Sequence, residues 1–98
     1  MRLLDADARI RTSFSTARGR VNGFSIQLEV HREANWHPVV RYDSAHGVAH
    51  RDLLHPDGRQ HKTLLPLSSF ADALTFAQAD LNKNWREYRR RFVEESDR

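Results

Sequence analysis

The sequence predicts an α+β fold: a five-stranded antiparallel sheet whose strands follow one another in order, with one long C-terminal helix on its apolar face. Three observations carry this. Residues 9–16 and 24–31 alternate apolar and polar side chains with period 2, the mark of half-buried strands. Glycine, proline and asparagine punctuate short apolar runs between residues 17 and 66, as turns require. From Phe70 onward the apolar residues step by three and four without an internal glycine or proline, as an amphipathic helix does.

Each element follows from its residues. The first eight residues, with Leu3, Leu4, Asp5 and Asp7, show no period and read as a lead-in. In the first strand Ile10, Thr12, Phe14 and Thr16 share a face, with Arg9, Arg11, Ser13 and Ser15 on the other. Residues 17–23 hold Gly19 and Asn22-Gly23, which accept positive φ and place a turn there. The second strand sets Phe24, Ile26, Leu28 and Val30 against Ser25, Gln27, Glu29 and His31. Such a pattern suits a sheet covered on one face and wet on the other. Residues 33–37 read as a loop, and Pro38 opens a third strand over 39–43, because proline is tolerated at a first position. A turn through Gly47 leads to a fourth strand over about 49–55. His55-Pro56-Asp57-Gly58 is a tight-turn sequence, and the fifth strand covers 59–65.

Ser69 is a candidate N-cap, with Asp72 three residues on, where an acid suits a helix N-terminus. The stripe Phe70, Leu74, Ala77, Leu81, Trp85, Tyr88 and Phe92 extends the helix to about residue 95, roughly 40 Å. Strands of ordinary length span only about 20–25 Å. The C-terminal half of the helix is therefore expected to overhang, so that Trp85, Tyr88 and Phe92 need another cover: the N-terminal segment, a second subunit in a homodimer, or a partner interface.

The chain has 98 residues and is 39% hydrophobic, enough for one core and a single domain over residues 1–98. It contains no cysteine, which excludes disulfides and thiolate metal sites and is compatible with a cytoplasmic location. No apolar run approaches a membrane span, and the early acids argue against a signal peptide. The formal net charge of +3 permits a nucleic-acid partner.

Residues 41–61, RYDSAHGVAHRDLLHPDGRQH, concentrate the titratable side chains: Arg41, Asp43, His46, His50, Asp52, His55 and His61 lie here. A hairpin at Pro56–Gly58 would bring Lys62 or His61 beside Asp52, the register deciding which. Three readings are open. Histidines can exchange protons with RNA while Arg41 and Lys62 hold the scissile phosphate and Asp43 and Asp52 orient the histidines. His46, His50 and His55 with Asp52 could ligate a metal, although their spacing fits no common zinc pattern. Or the stretch is a charged outer sheet face without chemistry. On the helix, Lys83, Arg86 and Arg90 share a face that could track phosphates. Glu87, Glu94 and Glu95 are interspersed, which is the ordinary pattern of a soluble helix.

The segment Arg41-Tyr42-Asp43-Ser44-Ala45-His46 resembles the RYD-x-A element of small bacterial toxin-like proteins of the TumE type. The histidine-rich AHRDLLH, then Gln60-His61-Lys62, then the helix from Ser69 stand in the order found in that family, over residues 39–81. The resemblance implies the toxin half of a toxin–antitoxin pair, active on RNA and neutralised by a cognate antitoxin protein, with Arg41, Asp43, His46 and His61 in or near the active patch. The combined expectation is a metal-independent endoribonuclease without cofactor. His46, His50 and His61 would be its acid–base candidates. The competing expectation is a non-catalytic protein- or nucleic-acid-binding module that uses the sheet face and the helix.

Overall fold

The computed structural model describes the backbone of residues 1–98 and every side chain except that of His46. Six strands form one antiparallel sheet in the order β1-β2-β3-β4-β5-β6: Arg2–Asp5, Ala8–Ala17, Arg20–Arg32, Asn35–Asp43, His50–Leu54 and Gln60–Leu64. A short 3₁₀ turn, Ala45–Gly47, separates β4 from β5, and a single helix α1, Phe70–Ser96, follows. The fold is thus α+β with an antiparallel sheet and one C-terminal helix. It has six strands where the sequence suggested five. The additional strand is β1, which pairs with β2 through Arg2↔Ile10 and Leu3↔Arg9. It showed no period because it is an edge strand that buries almost nothing. Only Leu4 is partly covered.

Two hairpins use two-residue turns with positive φ at both positions: Arg18 and Gly19 at 54° and 74°, Glu33 and Ala34 at 54° and 69°. This geometry matches the right-handed twist of the flanking strands. Asn22-Gly23, a turn candidate in the sequence, instead lies inside β3, where the register slips between Ser15↔Gly23 and Thr16↔Val21. Asn22 is the extra residue of a bulge. The proline of β4 sits within the strand rather than at its start, next to a second slip between Leu28↔Val40 and Glu29↔Pro38. A bulge is one of the few strand positions that tolerates a residue without an N–H.

Ser69 caps the helix, its Oγ accepting from the Asp72 N–H at 3.1 Å. Ala73, Leu74, Ala77, Leu81, Trp85 and Phe92 are buried against Ile10, Phe24, Ile26, Leu28, Val30, Val40 and Tyr42 of the sheet. The expected overhang does not occur. Strand β3 has 13 residues, about 44 Å if fully extended, and so matches a helix of 27 residues at about 40 Å. The cover for the far end of the helix therefore comes from the chain itself. Trp85 and Phe92 retain only 6% and 4% of their exposure, and Tyr88 is half-buried. Trp85 and Phe92 belong to the core, with Tyr88 packed against it. Arg89 reinforces the contact, donating to Asp5 and Asp7 at 3.1 and 2.7 Å while lying over the Trp85 ring. Arg32 reaches Asp97 at 2.7 Å. Among the described residues no helix is long and apolar enough to cross a membrane.

Ala34 holds a left-handed conformation that costs an L-residue about 1–2 kcal/mol. Ala34→Gly removes that strain at the expense of a more flexible unfolded chain. The variant is expected to gain about 0.5–1 kcal/mol in urea unfolding, with an unchanged m-value.

Candidate functional site on the uncovered sheet face

The helix covers one face of the sheet, and strand alternation decides what the other face presents. Arg51 of β5 donates to the Tyr88 hydroxyl on the helix at 3.5 Å, and Tyr42 of β4 donates to Asp80 on the helix at 2.7 Å. Their strand neighbours Arg41, Asp43, His50 and Asp52 must therefore point away from the helix. Register then aligns the uncovered face into two rows. One reads Arg11↔Gln27↔Arg41↔Asp52↔Lys62 across five strands. The next reads Ser13↔Ser25↔Asp43↔His50↔Leu64. At the usual strand spacing, the first row runs about 19 Å from Arg11 to Lys62.

The charges on this face sit at different depths. Glu29 and Asp52 are 4% and 5% exposed, whereas Arg11 and Lys62 are exposed. Long cationic side chains keep their heads in water while short carboxylates stay near the sheet, so the outermost layer is basic. Arg9 and Gln27 satisfy Glu29 at 2.6 and 2.5 Å. Gln27 also accepts from Arg41 Nε at 2.7 Å, which fixes that guanidinium in the row. A shallow hollow lined by Arg11, Ser13, Ser25 and Gln27 lies beside it.

Next to the row stands a cluster of three side chains. His50 Nε2 is 2.9 Å from Asp43 Oδ1 and 3.3 Å from Asp52 Oδ2. Its Nδ1 is 3.1 Å from the Val48 carbonyl oxygen. His50 is 4% exposed, so it is packed into the face rather than displayed on it.

The site residues anticipated from the sequence divide accordingly. Arg41, Asp43, His50, Asp52 and Lys62 share the uncovered face. His61 does not: it pairs with Leu53 and so points to the helix side, where it is exposed. Of the acid–base candidates His46, His50 and His61, His61 is thus separated from His50, because the register places Lys62 rather than His61 beside Asp52. His46 lies in the 3₁₀ turn, and its side chain is outside the described residues. His55, weighed as a metal ligand, lies beyond β5 and bonds Glu95 of the helix through Nδ1 at 2.7 Å. Arg90 is held by Glu87 and by Glu94, the latter at 2.9 Å. Arg86 lies over the Trp85 ring, and Lys83 is exposed. The helix charges thus follow the mixed, self-paired pattern more than a phosphate track. Arg11 and Gln27 are not among the candidates that the sequence offers. Their place on a polar strand face was readable, but their alignment with Arg41 was not.

A second polar cluster lies under the helix. Asp80 Oδ2 accepts from the hydroxyls of Tyr42 and Tyr88 at 2.7 and 2.6 Å, and Asp80 Oδ1 accepts from Asn84 at 2.8 Å. Burial, then the bond to Asp80, pushes both phenols above their ordinary range. This cluster joins helix to sheet.

A model of a protein family described as a domain of unknown function, DUF7718, matches residues 1–98. The chain belongs to that family. The match covers the whole of the sequence given. No curated protein and no solved structure matches the chain.

The chain contains two tyrosines, both in the Asp80 cluster, which makes their ionisation directly visible. An unperturbed phenol is half-ionised near pH 10. Raised folded values mean that the stability from these groups is complete below that pH and is lost as pH rises through the folded values. Near-ultraviolet absorbance at pH 10 is expected to show little tyrosinate in the native protein and about half-ionisation once urea unfolds it.

Proposed function

We propose that this domain binds RNA through the uncovered face of its sheet. The observation that carries the reading is the row Arg11–Gln27–Arg41–Asp52–Lys62, in register across five strands. Its three cations span a length that suits successive phosphates of a nucleic-acid backbone better than a single small anion. Gln27, Ser13 and Ser25 add neutral donors of the kind that position phosphate oxygens. The net charge of +3 points the same way. Single-stranded RNA fits better than a duplex, since a flat face can follow a flexible strand without entering a groove. A cytoplasmic location, where RNA is at hand, agrees with a chain that has no cysteine.

The test is the salt dependence of binding to a single-stranded RNA oligonucleotide. Arg41→Ala and Lys62→Ala are each expected to weaken binding across sequences and to reduce the log–log salt slope by about one. Arg90→Ala on the helix should leave the slope unchanged. Equal slopes in all three variants would remove the row from the interface.

A second reading is the RNA-cleaving toxin of a toxin–antitoxin pair. What supports it is the 2.9 Å contact of His50 with Asp43 beside Arg41 and Lys62, a carboxylate-oriented histidine next to cations that would hold phosphate. Cleavage would then rest on His50 without His61, and an antitoxin would cover the uncovered face. Induced expression in a bacterial host is expected to arrest growth for the wild type and not for His50→Ala. Growth unaffected by a folded, soluble wild-type protein leaves the binding role alone.

A further inference from the structure

We infer that Asp43, His50 and Asp52 form a binding site for one divalent transition-metal ion, of the zinc or manganese class. The inference does not rest on the RNA-binding row, is an alternative to the acid–base role that the second reading gives His50, and starts from a hydrogen bond. The Val48 carbonyl can only accept, so His50 Nδ1, 3.1 Å away, carries the proton. In the neutral ring Nε2 then bears a lone pair. That lone pair faces Asp43 Oδ1 at 2.9 Å and Asp52 Oδ2 at 3.3 Å, two further electron-rich atoms. Something positive belongs between the three, either a proton on Nε2 or a metal ion.

Three features favour the ion. A backbone carbonyl on Nδ1–H is the outer partner that metal-ligating histidines commonly use to fix the tautomer and aim Nε2. The spacing also fits. Ligands at about 2.1 Å from a metal stand about 3.0 Å apart along an octahedral edge and about 3.4 Å along a tetrahedral one, and the observed 2.9 and 3.3 Å lie close to these values. All three ligand atoms lie within 4.8 Å of one another. Finally, the Asp52 side chain is 7% exposed and its Oδ1 has no hydrogen-bond partner. A proton on Nε2 leaves that buried oxygen unsatisfied, whereas an ion can take Asp52 through both oxygens. One divalent charge also balances two carboxylates. One imidazole nitrogen with carboxylate oxygens suits zinc or manganese, and the absence of thiolate argues against softer ions. Asp43, with a side chain 18% exposed, is the side from which the ion would enter.

The test is titration of the full chain, stripped with chelator, with zinc and with manganese chloride, followed by calorimetry and by thermal unfolding. One equivalent is expected to bind with a rise in Tm, and the His50 Nε2 resonance should shift. Asp43→Asn and Asp52→Asn should each lower the affinity tenfold or more. Asp43 is the more exposed ligand, so its variant decides the matter if Asp52→Asn fails to fold. One-to-one binding that survives in Asp43→Asn places the ion at other histidines and overturns the proposal. So does absence of binding together with a protonated His50 Nε2, which makes the cluster an imidazolium shared by two carboxylates.

Discussion

A single helix covers a single sheet, and the rest of the molecule follows from that constraint. With only one layer available, one sheet face can be dry and the other must meet water. The helix meets its side by length: 27 residues lie along a strand of 13. Its small residues Ala73 and Ala77 are fully buried and let the backbones approach, while Leu81, Trp85 and Phe92 fill the wider gaps. Between helix and sheet one carboxylate, Asp80, accepts from two tyrosines and an asparagine. A partly buried polar cluster of this kind helps fix how helix and sheet are aligned, because sliding would break its hydrogen bonds.

The uncovered face meets a different difficulty, and two of its carboxylates meet it differently. Glu29 and Asp52 are almost equally buried. Glu29 is surrounded by donors: Arg9, Gln27 and, at 3.6 Å, Arg11. Asp52 stands in a row between Arg41 and Lys62, yet among the described residues its ionic contact is His50 alone. Arg41 is turned to Gln27 instead. Burying an anion without adequate partners is costly. The unpartnered Asp52 Oδ1 on β5, beside a fully satisfied Glu29 on β3, is the contrast on which the proposed ion site rests.

Much of this fold could be read from the chain, because period-2 alternation in residues 9–16 and 24–31 and the stripe after Phe70 are direct records of burial. The exceptions share a cause. Strand β1 has little buried surface to leave a pattern. The hairpin through Glu33 and Ala34 uses left-handed φ at residues that do not advertise it. The length of β3 depends on a bulge at Asn22, where the same Asn-Gly pair would otherwise suggest a turn. For the site, the residues Arg41, Asp43, His50, Asp52 and Lys62 were legible as a group rich in chemistry. Their separation from His61 was not, since it depends on strand register. The burial of Trp85 and Phe92 was equally out of reach, because it depends on strands whose true length was hidden.

The connection order has a bearing on how the protein is made. Every strand pairs with its neighbour in sequence, so the sheet can assemble progressively as the chain leaves the ribosome. The helix that shields Ile26, Leu28, Val30 and Val40 comes after all six strands. Throughout that interval the nascent sheet exposes an apolar surface with nothing to cover it, which is the circumstance in which molecular chaperones engage a chain. Slow translation through residues 70–96 would prolong that exposure, and codon choice in this stretch therefore bears on yield independently of the stability of the finished fold.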